Sequence, residues 1–418
     1  MDRMKECFEA LEKDYIKMLR QVVDINSFSY NREGINRVGR QYADWFAELG
    51  FESYFVPSTN PLCGDHLFST RAGRSEQNLI LISHLDTVYP VEEEVENNHC
   101  WREEKERIYG PGTLDIKGGT VMIYMFLKGL KTIYPDLFES MSWTVLHNAS
   151  EEIGCLDFPS LATGFINPQT LAALVYEGAM SLEDEADVVL CVSRCGAARF
   201  DLETFGRSAH SGNSHRKGVN AIREISRKIE EIESWTDYSR NVTFSIGLVQ
   251  GGTAANTIPA YASCRIDLRA NNPEDFQWGK EKVLGLSGVG SVRSPMDDFP
   301  CSVKVQLIGE FPPWPNTDKN AELIELVVKA AEQDQRKVQV HRLRGGASDG
   351  NFTYQYVPTV DLLGPIGSNH HCSLHDPEHG KEQEYIVKSS IVPQAMLSVR
   401  LVHEIVKKEG LRGDTQRP

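Results

Sequence analysis

Three short runs of uninterrupted apolar residues stand out in the first half of the chain, at 79–82, 143–146 and 171–175. Runs of this length, apolar at every position, suit parallel strands buried on both faces. Between the first two, residues 119–130 (GTVMIYMFLKGL) read as a buried helix. Residues 36–49 (NRVGRQYADWFAEL) place apolar side chains at helical spacing and stop at Gly50. The opening MDRMKECFEALEKDY is a charged helical pattern. Alternation of this kind predicts an α/β sheet with helices on both faces.

The pattern changes near Arg194. Residues 197–205 and 242–248 alternate apolar with polar, as half-buried antiparallel strands do. A helix over 219–232 puts Val219, Ile222, Ile225, Ile229 and Ile232 on one face. Cys264, Ile266 and Leu268 then alternate with Arg265, Asp267 and Arg269, and 303–308 gives another strand. These elements predict an inserted α+β domain at 194–314, with 1–193 and 315–418 forming the catalytic domain. FPPWP at 311–315 reads as a hinge back, followed by a helix near 320–333, a strand at 357–362 and a last helix through 394–407.

Composition narrows the class. Of 418 residues, 40% are hydrophobic and 25% charged, ordinary for a soluble globular protein. A formal charge of −15 argues against general binding to nucleic acid. No run of 18 apolar residues predicts a membrane span. The nine cysteines are odd in number and contain no CxxC pair. With no export signal read at the start, they predict free or buried thiols in a reducing cytoplasm, not catalysis or metal binding.

The chemistry gathers where the apolar runs end. His84 and Asp86 follow the first run in Ser83-His-Leu-Asp-Thr87. A neutral imidazole is a good zinc ligand, and a carboxylate two residues on can orient it. Asp115 closes a glycine-rich loop before the 119–130 helix, at a spacing that matches neither a P-loop nor GxGxxG. There it suits either a helix cap or a carboxylate bridging two cations. Glu151 and Glu152 follow the second run and Glu177 the third. Of two adjacent carboxylates, one can ligate a metal while the other acts as general base. Open α/β sheets collect sites at the carboxyl ends of their strands, and this convergence is worth more than any single match. His370, His371 and His375 compete to supply the last ligand.

The ordered set SHLDTV, GPGTLDIKGG, NASEEIG, YEG, GRSAHSG, GGTAANTIP, RIDLR, GGASDGNF and GPIGSNHH runs from residue 83 to 371. It resembles the zinc exopeptidase family of acetylornithine deacetylase, succinyl-diaminopimelate desuccinylase and the folate-cleaving glutamate carboxypeptidases. With glutamate at 177 and Gly-Asp-His-Leu at 64–67, it looks most similar to the glutamate carboxypeptidase branch. The resemblance implies a mixed sheet flanked by helices, with the insert as an α+β sandwich serving as lid and dimerisation domain. It implies two zinc ions, with cobalt or manganese as alternatives. One would be held by His84 and Glu177, the other by Glu152 and His371, and Asp115 would bridge them through a residue whose peptide bond to Ile116 is cis.

By the same resemblance Glu151 becomes the general base acting on a metal-bridging water, and Asp86 the partner of His84. His210 would stabilise the oxyanion in the partner subunit of a homodimer. Asn256 and Arg269 would bind the substrate carboxylate, and Gly345, Gly346 and Ser348 would line the pocket. The expected reaction is hydrolysis of an amide or peptide bond next to a free carboxylate in a small peptide. The alternatives are deacylation of an N-acyl amino acid and, in another class, a catalytically silent dimeric binding protein.

Overall fold

The computed structural model describes residues 3–180, 187–343 and 345–409, and the chain divides into two compact units. The first runs through Ser193 and resumes at Asn316–Leu343 and from Ser348; the second comprises Arg194–Pro315 and a short run ending at Ala347.

The first unit is built on a six-stranded sheet. Its strand order is Glu52–Pro57, Asp65–Arg71, Ser142–Asn148, Asn78–His84, Thr170–Val175 and Thr359–Val360. The first two strands run antiparallel to their neighbours and the other pairings are parallel, so the sheet is mixed. The three apolar runs form its centre. Leu79, Ile80, Leu81 and Ile82 are all fully buried, each worth about 1.5–3 kcal/mol of burial. Helices Arg3–Val23, Lys117–Ile133 and Ile391–Lys408 pack on one another and into the same core. Helix Arg32–Glu48 starts where the Asn31 side chain accepts from Gly34 N at 3.1 Å. That cap lies upstream of the apolar periodicity, which is why the helix begins before residue 36.

Two strands of this sheet, Glu52–Pro57 and Asp65–Arg71, are not predicted by the apolar pattern. Expected strand 357–362 shortens to Thr359–Val360. Gly119 matters at the heart of the unit: a Cβ there would lie 2.0 Å from the Tyr176 carbonyl oxygen. Its absence lets helix Lys117–Ile133 approach the end of strand Thr170–Val175.

The second unit is a five-stranded antiparallel sheet in the order Val242–Gly251, Tyr261–Ala270, Gly196–Phe205, Pro300–Phe311, Gly288–Arg293. Helices Ala221–Glu233 and Pro273–Leu284 pack on it and join Phe200, Leu202, Phe244, Ile266 and Leu268 in one core. The second helix is absent from the sequence reading, although Asn272 caps it by accepting from Asp275 N and proline opens it. Alternate residues of the central strands carry charge: Arg265 pairs with Asp201, and Arg269 with Asp267. The segment 311–315, read as a hinge from the sequence, belongs to the second unit through Pro315. Trp314 is fully buried, and its main chain exchanges two hydrogen bonds with Arg194, at 2.8 and 2.9 Å. Among the described residues no helix is long and apolar enough to cross a membrane.

Candidate metal centre

Strand register sets the site. His84 is paired with Asn148, and Ile82 with Val175, so the three central strands end at one level. His84 is the last residue of its strand. Glu151 and Glu152 sit in a single 3-10 turn, Glu151–Ile153, just past the second strand, and Glu177 lies two residues past the third. Asp115 comes from the loop before helix Lys117–Ile133, and its bond to Ile116 is cis, as the resemblance implied.

Asp115 stands at the centre. Its Oδ1 lies 3.0 Å from His84 Nε2, and its Oδ2 3.1 Å from His371 Nε2. Glu177 Oε1 is 3.8 Å from the first imidazole, and Glu152 Oε2 3.2 Å from the second. Two three-ligand groups result, His84–Asp115–Glu177 and Asp115–Glu152–His371, with ligand atoms within 4.8 Å of one another in each. Among the late histidines it is His371, at a positive φ of 61°, that meets Asp115 and Glu152. His375 is exposed, and His379 binds Asp376 at 2.7 Å.

The donor set fits metal ions. His84 Nδ1 faces the Asp86 carbonyl oxygen at 3.0 Å. A carbonyl only accepts, so Nδ1 carries a proton, and Nε2 faces a carboxylate oxygen. That approach calls for a positive charge between them, a proton on Nε2 or a metal ion that takes its place. The surrounding charges agree. Burial disfavours the His84 cation, but Asp115, Asp86, Glu177 and Glu151 outweigh it and hold the imidazole pKa well above its ordinary value. Burial likewise works against ionised Asp115, yet bonds from His371 and His84 hold its carboxyl well below the usual range. Oxygen and imidazole ligands of this kind suit zinc and related divalent ions.

Glu151 belongs to neither ligand group. Its carboxyl is pushed well above the ordinary range by burial, with Glu177, Glu152 and Asp349 adding to the effect against His84. The turn that carries it is held from below. Asp86 accepts from Glu151 N at 3.0 Å, Glu152 N at 3.3 Å and the Ser29 hydroxyl at 2.6 Å. The Asp86 carboxylate itself is 3.5 Å from His84 Nδ1, so His84 is oriented chiefly by the carbonyl of Asp86. Asn148 Oδ1 accepts from Ser150 N at 3.0 Å, and its amide donates to buried Asp349 at 2.8 Å. Asn148 and Asp349 lie within NASEEIG and GGASDGNF but take no role in the sequence reading, and Ser29 lies in none of the motifs.

The remaining expected residues fall elsewhere in the chain. His210, Asn256, Arg269, Gly345 and Gly346 belong to the second unit. His210 Nδ1 accepts from Gly212 N and Asn213 N, both at 3.1 Å, which leaves Nε2 as the protonated nitrogen of the neutral ring. Ser211 N donates to the Asn256 carbonyl at 3.0 Å. The Gly346 carbonyl accepts from Arg194 at 3.2 Å, and a Cβ on Gly345 would meet nothing within 4 Å. Arg269 Nε and Nη2 donate to the two oxygens of Asp267, at 2.7 and 3.0 Å. Ser348 is in the first unit, fully buried, with its hydroxyl donated to Asp361 at 2.7 Å.

A second mixed cluster, His66–Cys155–Asp157, also brings its atoms together. Here His66 Nδ1 accepts from Ala149 N at 3.1 Å, so Nε2 bears the proton and donates to Asp157. Asp157 also accepts from Cys155 Sγ and the Ser58 hydroxyl. With no free imidazole lone pair, the cluster is a hydrogen-bond hub and not a metal site.

Comparison with known proteins agrees with the fold. Residues 192–287 match the peptidase dimerisation domain family. The chain is 26% identical over 393 residues to carboxypeptidase G2 of Pseudomonas sp. (strain RS-16), covering 93% of this chain and 89% of that protein. Among solved structures it superposes on an M20 family metallo-carboxypeptidase of Sulfolobus solfataricus with a TM-score of 0.64, at 14% identity, covering 94% and 98% of the two chains. A dinuclear metal binding peptidase of the M20 family from Bacillus subtilis gives a TM-score of 0.59 at 15% identity, covering 96% and 99%. The mixed α/β first unit, the match to the peptidase dimerisation domain and the paired ligand groups together support a metallohydrolase similar to the M20 family peptidases.

Proposed function

We propose that this metallopeptidase hydrolyses an amide bond adjacent to a free carboxylate, in the manner of a glutamate carboxypeptidase, with zinc at both positions and cobalt or manganese able to substitute. The observation that carries the reading is Asp115, whose two oxygens face two different histidines while the neighbouring Glu151 stays outside both ligand groups. Metal ions held by His84, Asp115, Glu177, Glu152 and His371 would supply Lewis acidity, polarising the scissile carbonyl and acidifying the attacking water. Glu151 accepts the proton of that water as the new C–O bond forms, and delivers it to the amine nitrogen as the C–N bond breaks. Its buried carboxyl, raised in pKa, is suited to holding a proton between those events. Asp86 keeps the base and the ligand Glu152 in fixed relation through their main-chain amides.

The second unit supplies the substrate contacts in this reading, on chemical grounds. His210 offers an Nε2–H to a developing oxyanion, held in that tautomer by two amides. Arg269 spends Nε and Nη2 on Asp267 and keeps Nη1 for a carboxylate, with Asn256 beside it in role. Gly345 and Gly346 leave the pocket wall without side chains, and Ser348 shapes the loop through Asp361. A homodimer through residues 192–287 is supported by the edge strand Val242–Gly251, where Leu248 and Val249 are each 56% exposed. Nine free thiols suit a reducing cytoplasm.

The deciding experiment is a panel read by amine release from the zinc-loaded protein. C-terminal glutamyl peptides and N-acyl-glutamates should be cleaved, and N-acetyl or N-succinyl derivatives of basic amino acids should not. Preference for the latter would replace this reading with an N-acyl amino acid deacylase. Exhaustive chelation should abolish turnover, and zinc or cobalt should restore it; turnover that survives chelation would sink the mechanism.

A further inference from the structure

We infer that Glu384 is the positioning residue for the shared ligand Asp115 and, through its main chain, for His371. The inference rests on the dinuclear reading above. Glu384 is fully buried and stands immediately before strand Tyr385–Val387. Its Oε1 accepts from two consecutive amides, Leu114 N at 2.6 Å and Asp115 N at 3.0 Å. Its Oε2 accepts from the Tyr89 hydroxyl at 2.7 Å. Tyr89 is itself buried, edge-on to His99 at 4.7 Å between ring centres.

The main chain of the same residue completes the tie. Glu384 N donates to the carbonyl of Cys372, the residue after His371, at 2.9 Å. Its carbonyl accepts from Gly110 N, at the start of the loop that carries Asp115, at 3.4 Å. One residue therefore fastens three segments: the loop ending in Asp115, the turn bearing His371, and the chain leaving strand Asn78–His84.

The need for such a tie follows from Asp115. Both of its carboxylate oxygens face histidines, so the side chain is given over to the ligand groups. The aim of those oxygens then depends on how the backbone of the loop is held, and the amides of Leu114 and Asp115 find their acceptor in a side chain. Glu384 supplies the acceptor at Asp115 itself. Partners of this kind, one bond removed from a metal, typically change its affinity about 10–100-fold.

The test uses the full-length protein freed of metal, titrated with Co(II) and Zn(II) against a chromophoric chelator, beside thermal melts of the metal-free forms. Wild type should bind two ions. Glu384→Ala should bind at least one of them about 10–100-fold more weakly. Glu384→Gln, which keeps a carbonyl oxygen for both amides, should recover most of that loss. Tyr89→Phe, which removes one of three donors, should weaken binding about 2–10-fold. Wild-type affinity for both ions in Glu384→Ala would overturn the inference, and so would equal losses in the Ala and Gln variants. If the Ala variant fails to fold, wild-type affinity in Tyr89→Phe overturns it. A wild-type protein that binds fewer than two ions would instead defeat the dinuclear reading beneath it.

Discussion

Lowering the pH from 7 to 5 should remove about 2 kcal/mol of folding stability at His147 alone. His147 is fully buried in strand Ser142–Asn148, stacked on Tyr42 at 5.5 Å and tilted against Phe46 at 5.7 Å. Burial pushes its pKa down to about 3, against roughly 6.5 in the unfolded chain. The unfolded state therefore binds more protons between those values, so stability rises with pH there and falls as acid is added. At pH 5 the unfolded chain gains about 2 kcal/mol from taking up this proton, and at pH 7 about 0.2 kcal/mol. His147→Phe keeps an aromatic ring against Tyr42 and Phe46 and has no proton to take up. Urea midpoints of both proteins at pH 5 and 7, all in chelator, give the assay, since any other acid effect is common to the pair. Wild type should lose about 2 kcal/mol more than the variant over that interval. Parallel pH dependence of the two would show that His147 titrates normally in the folded protein and refute the reasoning.

Glu151→Gln should retain both metals while turnover falls about 10²–10⁴-fold, whereas His371→Ala should lose one equivalent of metal; loss of metal from Glu151→Gln would mean that base and ligand have been exchanged. Arg269→Lys cannot supply a guanidinium fork, so KM for a carboxylate substrate should rise about 10–150-fold with kcat much less affected; an unchanged KM would remove Arg269 from the pocket. Gly119→Ala places a methyl 2.0 Å from the Tyr176 carbonyl. It should cost about 1–3 kcal/mol or more in thermal unfolding, and an unaltered melting temperature would contradict the close packing of helix Lys117–Ile133 there.

The chain announces the parts of this protein that are locally extreme. Strands 79–82, 143–146 and 171–175 are legible because parallel strands buried on both faces leave no polar position to confuse them. Their common ends then point to His84, Glu151, Glu152 and Glu177. Strands Glu52–Pro57 and Asp65–Arg71 escape notice because they lie toward the sheet edge, where Tyr54 and Phe55 are exposed and His66 is buried. Helix Pro273–Leu284 is written in its cap, Asn-Pro-Glu-Asp, more than in its apolar spacing. Glu384 has no such mark: its partners Leu114 and Asp115 are 270 and 269 positions away, and only the fold brings them together. Asp86 does more than its spacing suggests. Its carboxylate lies 3.5 Å from His84 Nδ1 and also accepts from the amides of Glu151 and Glu152.

The paired main chains of Arg194 and Trp314 bear on how such a protein can change over generations. From the standpoint of the first unit, everything between those two residues is one very large loop whose ends are already joined. Closing a flexible loop costs only about 0.6 kcal/mol more for each doubling of its length. The piece hung on this rung can therefore grow, shrink or be exchanged at small entropic expense to the sheet that carries the metal ligands. The sequence of the insert is then free to drift, while the strand ends that hold His84, Glu151, Glu152 and Glu177 stay under the much stricter constraint of a buried core.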